Sequence, residues 1–123
     1  MRRMGELEST VMDLMWSRGD DASVREVLEA LHPQRPLAYT TVMTVMDNLH
    51  RKGFLLRTLH GRAYRYRATK GRSEYTAELM DELLAGSGDR SATLLRFVDR
   101  MNSQERAKLK RALGSRRKAG DSQ

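Results

Sequence analysis

The sequence has no cysteine, which excludes disulfide bonds, thiol nucleophiles and thiolate metal sites. It has no apolar run near the roughly 20 residues that span a bilayer. Its first stretch lacks the apolar segment of a signal peptide. Aromatic residues make up only 6% of the chain, and a length of 123 residues suits one or two small domains. We therefore expect a soluble, cytoplasmic protein that does not insert into membranes.

Catalytic and metal-binding patterns are missing as well. The three histidines, His32, His50 and His60, lie near turns or helix ends without the spacing of metal ligands. The acidic pair Asp81 and Glu82 is typical of a solvated helix face, and no glycine-rich phosphate loop is present. The sequence thus predicts no catalytic residue, no cofactor and no metal, and indicates that the protein is not an enzyme.

Positive charge is in excess, with a formal net charge of +7 and a pI of about 10.2. Residues 54–73 contain six basic and no acidic residues, and residues 103–123 contain seven basic and two acidic ones. Basic blocks of this kind indicate a polyanionic partner, with nucleic acid as the first candidate.

Three short helices are predicted in the first half, because apolar residues recur at helical spacing in three stretches between residues 7 and 49. Gly19 is predicted to end the first helix, a capping box of Ser23 and Glu26 opens the second, and Gly53 closes the third. A short turn with two prolines joins these two helices. This is the helix-turn-helix arrangement, whose later helix presents its N-terminal half to the major groove.

The third helix, residues 38–52, begins with several hydroxyl-bearing residues, which do not favour helix formation. Thr40 and Thr44 fall on the side opposite its apolar stripe. Threonine hydroxyls bond phosphates or base edges, and the methyl groups contact thymine methyls. The alternative is that exposed threonines are merely tolerated on a surface helix, but their clustering before a basic segment favours the DNA interpretation.

A β-hairpin is predicted next, with its turn at residues 60–62, where Gly61 can take a positive φ. After the turn tyrosine and arginine alternate, so Tyr64 and Tyr66 share one face and the arginines the other. A basic hairpin after three helices is typical of a winged helix-turn-helix, although the arginines could simply form a solvated strand face. The predicted phosphate or wing contacts are Arg51, Lys52, His60, Gly61, Arg62, Arg65 and Arg67.

Three amphipathic helices are predicted in residues 73–115. A segment of this length is too short to form a core that buries their apolar sides. Packing against a second copy would cover those sides, and a two-fold dimer suits an inverted repeat in DNA. Folding back onto the first half of the chain is the alternative. The predicted dimer interface consists of Tyr75, Leu79, Met80, Leu83, Leu84, Leu94, Leu95, Phe97, Val98, Met101, Leu109 and Leu113.

The predicted fold is therefore mainly α with a small β wing. Residues 1–72 form a winged helix-turn-helix DNA-binding domain, residues 73–115 a helical dimerisation domain, and residues 116–123 a basic flexible tail.

The segment "AYTTVMTVMDNLHRKGF" followed by "GRAYRYRATKGRSEY" closely resembles the bacterial penicillinase-repressor and methicillin-resistance-repressor family. The resemblance extends from about Leu7 to Leu113. It implies a dimeric winged-helix repressor that binds a palindromic operator with TACA/TGTA-like half-sites and blocks transcription, in relatives that include regulators of β-lactam resistance. It also implies base contacts at the recognition-helix positions Tyr39, Thr40, Thr41, Met43 and Thr44.

In β-lactam-responsive members, a membrane sensor-protease signals antibiotic and the repressor is cut in its dimerisation region. The resemblance implies such a protease as a partner and places the proteolytic site at Arg96 and Phe97. This chain has arginine where those relatives have asparagine. Copper-responsive relatives carry paired cysteines near the C-terminus, which this chain lacks.

Two other functions fit the basic composition. An RNA-binding or ribosome-associated winged-helix module is one, although the sequence predicts no exposed aromatic residues for base stacking. A protein-interaction adaptor is the other, disfavoured by the charge of residues 54–73.

Overall fold

The computed structural model describes residues 4–121, with side chains described for residues 4–116. The chain forms two compact units, Met1–Leu79 and Met80–Gln123. The sequence placed the domain boundary after residue 72, whereas the compact units divide seven residues later, inside a helix.

The first unit begins with two helices whose ends follow the predicted signals. Helix α1, Glu6–Arg18, ends at Gly19, which has a φ of 77°. Helix α2, Val24–Leu31, begins after Ser23, and its predicted capping box is confirmed. The Glu26 N–H donates to Ser23 Oγ at 3.1 Å, and the Ser23 N–H donates to Glu26 Oε1 at 2.9 Å.

Helix α3, Tyr39–Arg51, is the predicted third helix, and Gly53 follows it with a φ of 87°. Its stripe of Val42, Met46 and Leu49 is fully buried against α1 and α2. That packing fixes the rotation of α3 about its own axis, so its opposite side faces outward. The core that surrounds the stripe consists of Val11, Met12, Met15, Ala22, Val24, Val27, Leu31, Val45, Leu55 and Tyr66.

A three-stranded antiparallel sheet completes the first unit, in the order β1-β3-β2. Strands β2, Leu55–His60, and β3, Ala63–Ala68, form the predicted hairpin, and Gly61 in its loop has a φ of 64°. Strand β1, Ala22–Ser23, was not predicted because two residues are too few for a period-2 pattern. It pairs with Arg65 and Tyr66 and so connects the wing to the start of α2.

Helix α4, Arg72–Ala85, begins in the first unit, where an aromatic cluster anchors it. Tyr75 lies 5.5 Å from Trp16 and 5.4 Å from Phe54 between ring centroids. Trp16 Nε1–H donates to the Lys70 carbonyl oxygen at 2.9 Å. Tyr75 was predicted in the dimer interface, but its ring packs within the first unit, because Trp16 of α1 and Phe54, just before β2, offer two aromatic rings to it.

The second unit contains the rest of α4, then α5, Arg90–Val98, and α6, Ser103–Asp121. No side chain described in α4 or α5 is buried. Asn102 caps α6 through its side chain, accepting from the Glu105 N–H at 2.8 Å. Helix α6 continues to Asp121 through the segment predicted as a flexible tail, since no proline interrupts it and each of its two glycines costs only about 1 kcal/mol. Residues 122–123 of that tail lie outside the described residues.

Replacing Tyr75 by alanine should loosen the start of α4 without emptying the main core. Two aromatic contacts are lost, so we expect the free energy of unfolding to fall by about 1–3 kcal/mol. Trp16, the only tryptophan of the chain, should shift its fluorescence to longer wavelength as water reaches its ring. Urea unfolding followed by tryptophan emission measures both, with Tyr75→Phe as the control that keeps the ring. An unchanged emission in Tyr75→Ala would contradict the anchoring role.

Candidate nucleic-acid interface

The outward side of α3 presents the predicted base-contacting residues. Tyr39, Thr40, Met43 and Thr44 are exposed, and Thr41 is half-buried. They occupy the N-terminal half of the helix, with Thr40 and Thr44 opposite the buried stripe and the other three on its flanks. The structure therefore brings these five side chains together on one surface, in the half of a recognition helix that meets base edges in helix-turn-helix proteins.

Arg25 extends this surface and was not predicted. Its guanidinium carbon lies 5.5 Å from the centre of the Tyr39 ring, in a cation–π contact between α2 and α3. Arg25 is exposed. The contact between Arg25 and Tyr39 could not be predicted from the sequence, because it depends on how α2 crosses α3.

The wing supplies cations that the rest of the described chain does not neutralise. His60, Arg62 and Arg67 are exposed, and neither arginine has an ion pair among residues 4–116. The loop is formed by Gly61 and Arg62, and the positive φ of Gly61 belongs to the first loop position of a type II′ turn. The predicted wing tip is thus an accessible basic loop.

Lys52 was predicted to contact phosphate, but its ammonium group is already used inside the protein. Nζ donates to Glu8 Oε1 at 2.6 Å, joining the end of α3 to α1. Burial opposes the charged form of Glu8, yet the hydrogen bonds from Lys52 and from the Gly5 N–H outweigh it and lower the pKa of Glu8. Lys52 therefore serves the packing of α3, which helical periodicity alone does not reveal.

Arg65 was also predicted to contact phosphate, and it is likewise engaged. Its guanidinium lies 2.9 Å from Asp21 Oδ1 and 2.8 Å from Glu26 Oε1. The reason is the pairing of β3 with β1, which sets Arg65 beside the N-terminus of α2. The Ser23 N–H, the Arg65 guanidinium and the Ser23 hydroxyl together lower the pKa of Glu26 to about 2. Hydrogen bonds to the two carboxylates raise the pKa of Arg65 in turn.

A groove of about 410 Å³ separates the outward side of α3 from the wing, and we call it the α3–wing groove. Asp47 lies in it and joins both walls: Oδ2 is 2.8 Å from Arg51, and Oδ1 is 3.0 Å from Arg57 of β2. The Arg57 guanidinium stacks 4.2 Å above the centre of the Tyr64 ring. Arg51, a predicted phosphate contact, is exposed and keeps donors free beyond this single pair. The residues that line the groove include Met43, Thr44, Asp47, Asn48, Arg57 and Tyr64.

Two aromatic rings are more accessible than the sequence predicted. Tyr39 and Tyr64 are 42% and 41% exposed, whereas Tyr66 is buried as a core residue. One face of each exposed ring is covered by an arginine, Arg25 on Tyr39 and Arg57 on Tyr64. The expectation that no aromatic residue would be exposed is therefore wrong, because Tyr39 lies on the surface of α3 and Tyr64 lines the α3–wing groove, both outside the core.

The predicted dimer-interface residues of the second unit form an apolar set open to solvent. Leu83 and Leu95 are 62% and 68% exposed. Arg96 and Phe97, the predicted proteolytic site, are exposed in the last turn of α5. The other exposed members are Met80, Leu94, Leu109 and Leu113, and the half-buried ones are Leu84, Val98 and Met101.

Comparison with known proteins identifies the family. Residues 4–115 match the family model described as penicillinase repressor. The chain belongs to the penicillinase repressor family. It is 47% identical over 116 residues to the transcriptional regulator BlaI from two strains of Mycobacterium tuberculosis, covering 92% of this chain and 84% of the relative. The family predicted from the α3 and wing motifs is thereby confirmed.

The fold comparison agrees with the family assignment. The solution structure of the DNA-binding domain of the repressor BlaI matches with a TM-score of 0.52 and 24% identity. The match covers 61% of this chain and 94% of that domain. The predicted winged-helix fold, mainly α with a small β wing, is confirmed.

Membership in the penicillinase repressor family also confirms that the protein is not an enzyme. Within residues 4–121, no helix has the length and apolar character needed to cross a bilayer. The described part of the chain likewise contains no group of three or more side chains suited to hold a metal ion.

The lowered pKa of Glu26 predicts how stability should change with pH. A carboxyl group whose pKa is lower in the folded state contributes stability above its unfolded pKa and loses it as the pH falls through the folded value. For Glu26 the window runs from about 4.5 to about 2. We expect Glu26→Gln to be less stable than wild type at pH 7 and to lose less stability between pH 5 and 2.

Urea unfolding at a series of pH values tests this prediction. Glu29→Gln is the matched control, because Glu29 lies on the same helix, is exposed and has no ion pair among residues 4–116. If Glu26→Gln and Glu29→Gln follow the same pH curve, the Glu26–Arg65 pair does not stabilise the attachment of the wing.

Proposed function

We propose that this chain is a homodimeric transcriptional repressor that binds a palindromic double-stranded DNA operator and blocks transcription. Its place is the cytoplasm, with the DNA that it regulates. Tyr39, Thr40, Thr41, Met43 and Thr44 contact base edges and thymine methyls. Arg51, Arg62 and Arg67 contact phosphates, with His60 and Gly61 at the wing tip. Lys52 and Arg65 are left out of the phosphate contacts because both are paired inside the protein.

One observation carries this proposal: the exposed threonine surface of α3 lies beside a basic wing in which Arg62 and Arg67 have no ion pair in the described chain. The buried stripe of α3 determines which side faces outward. The unpaired Arg62 and Arg67 provide charge for a polyanion. A helix that fits the major groove, with cations at its edge, suits DNA better than it suits a neutral protein partner.

Dimerisation is supported by the second unit, in which no described side chain of α4 or α5 is fully buried. Seven large apolar side chains are exposed between residues 80 and 113. A second copy of the same helices would cover them and set two recognition helices about one turn of DNA apart. Bound across a TACA/TGTA-like palindrome, such a dimer would exclude the transcription machinery sterically.

Release of the operator by proteolysis extends the proposal. The Arg96–Phe97 peptide lies in the last turn of α5 with both side chains exposed, and helix ends open more readily than helix centres. A cut there would divide the apolar set and weaken the dimer. A membrane sensor-protease would make the cut when β-lactam is present, and the regulated genes would be those of β-lactam resistance.

The first test is a salt series of binding to a TACA/TGTA palindrome beside a scrambled duplex of equal length. We expect a preference of about a thousand-fold or more for the palindrome. Three phosphate contacts per protomer predict a slope of log K against log salt of about −5 for the dimer. Arg62→Ala should weaken binding to both duplexes and reduce the slope by about one per protomer.

The control for the slope is Arg90→Ala, which removes one arginine from the second unit, where Arg90 pairs with Asp81. A slope reduced equally by both variants would take the wing out of the interface. Equal binding to the two duplexes would reject the sequence-specific repressor, and tighter binding to a structured RNA of the same length would favour the RNA-binding alternative.

Replacing the exposed Leu83 by aspartate should break the dimer. A charge at the centre of an apolar contact must be desolvated without a partner, which disfavours association by several kcal/mol. Analytical ultracentrifugation should show a monomer, and binding to the palindrome should fall toward the level of a single half-site. Ala85→Asp is the control, since two residues further along α4 the side chain points about 200° away. A dimer that survives Leu83→Asp would place the interface elsewhere.

A further inference from the structure

Asp47 is the one acidic residue of α3, and it lies on the surface proposed to meet DNA. It shares the outward stripe with Thr44, one turn before it, and with Arg51, one turn after it. Its side chain is 29% exposed at the floor of the α3–wing groove. A carboxylate in this place needs an explanation, because DNA brings negative charge to the same surface.

The charge of Asp47 opposes binding to phosphate in two ways. It repels a phosphate directly, and it engages donors of Arg51 and Arg57 that would otherwise bind one. A protein selected only for affinity would gain from a neutral residue at this position. The carboxylate therefore lowers the affinity for any duplex that offers nothing but its backbone.

The surroundings of Asp47 hold its oxygens in a defined direction. Arg57 is fixed from below by the Tyr64 ring at 4.2 Å and donates to Oδ1 at 3.0 Å. Arg51 holds Oδ2 from the following turn of the helix at 2.8 Å. A carboxylate has about four acceptor sites, so two such bonds leave acceptors free toward the groove.

A base edge can use those acceptors and a phosphate cannot. Phosphate oxygens only accept hydrogen bonds, whereas the N4 amino group of cytosine donates one in the major groove, where aspartate is a suitable acceptor. Thr44, on the preceding turn and also lining the groove, places Asp47 within the stretch of α3 proposed to contact bases.

We propose that Asp47 is a specificity-determining residue, which accepts a hydrogen bond from a cytosine N4 amino group in each half-site and penalises docking on DNA that lacks it. This inference rests on the proposed function, because it requires α3 to lie in the major groove. Arg57 and Tyr64 are positioning residues that hold the carboxylate toward the base.

Selection from a pool of randomised duplexes tests the inference without knowledge of the operator. Wild type should select a consensus with a preferred C·G pair at one position of each half-site. In Asp47→Ala, the preference for C·G at that position should fall by about fivefold or more, whereas the preferences at the other operator positions should stay unchanged. Asp47→Asn, nearly the same shape, should shift it toward adenine, which asparagine binds through N6 and N7.

Binding to a scrambled duplex is measured beside the selection. Both Asp47 variants should bind it several-fold more tightly than wild type does. Asp13→Asn is the matched control, since it removes a carboxylate that also pairs with an arginine, Arg72, on the outer side of α1. It should leave the consensus unchanged.

The outcomes separate the two proposals. If wild type selects no consensus, the proposed function fails. If wild type selects one and both Asp47 variants select the same one, the function stands and the inference about Asp47 is overturned. The inference would also fail if the Asp47 variants kept the wild-type consensus and gained no more affinity for scrambled DNA than Asp13→Asn does. Asp47 would then affect binding only through its net charge.

Discussion

The burial of one stripe of α3 is the constraint on which the rest of the first unit depends. Val42, Met46 and Leu49 are removed completely from water, and each contributes about 1.5–3 kcal/mol relative to an exposed position. Because a helix is rigid about its own axis, a buried stripe assigns every other position a direction. The outward threonines thus follow from the core, and no polar contact is needed to orient them.

Charge pairing then divides the cations of this unit into two groups. Lys52 and Arg65 lie next to carboxylates on neighbouring elements and hold α3 on α1 and the wing on α2. Arg62 lies in the hairpin loop and Arg67 within β3 opposite Leu56, and neither has an ion pair with a carboxylate of the described chain. The same residue type therefore supports the scaffold in one place and is available to a polyanion in the other. Arg65 and Arg67 are two residues apart on β3, and Arg65, which lies opposite Ser23 of β1, is the one that pairs with Asp21 and Glu26.

Local signals in the sequence predicted the helices and the hairpin. The features they did not predict are contacts between residues that are distant in the sequence. The capping box at Ser23 and the glycines at positions 19 and 53 act within a few residues, so the helix ends could be predicted. The alternation after Gly61 likewise predicted the hairpin. Strand β1, the Lys52–Glu8 pair and the Arg57–Tyr64 stack join residues that only the folded chain brings together. Net charge per segment indicated a basic wing but could not tell a paired arginine from a free one.

In the second unit, local helix signals are present but tertiary packing within the chain is sparse. Its helices have ordinary caps, such as Asp89, which accepts from the Ala92 N–H at 3.0 Å, and Asn102. Caps stabilise a helix by about 1 kcal/mol each, which falls far short of the entropy lost in ordering its backbone. Apolar burial normally supplies the difference, and no described side chain of α4 or α5 is fully buried within the chain. In the proposed dimer, the helices of a second copy would present a matching apolar set and supply this burial. On this account the folding of the unit and its assembly are one equilibrium, so that stability should rise with protein concentration.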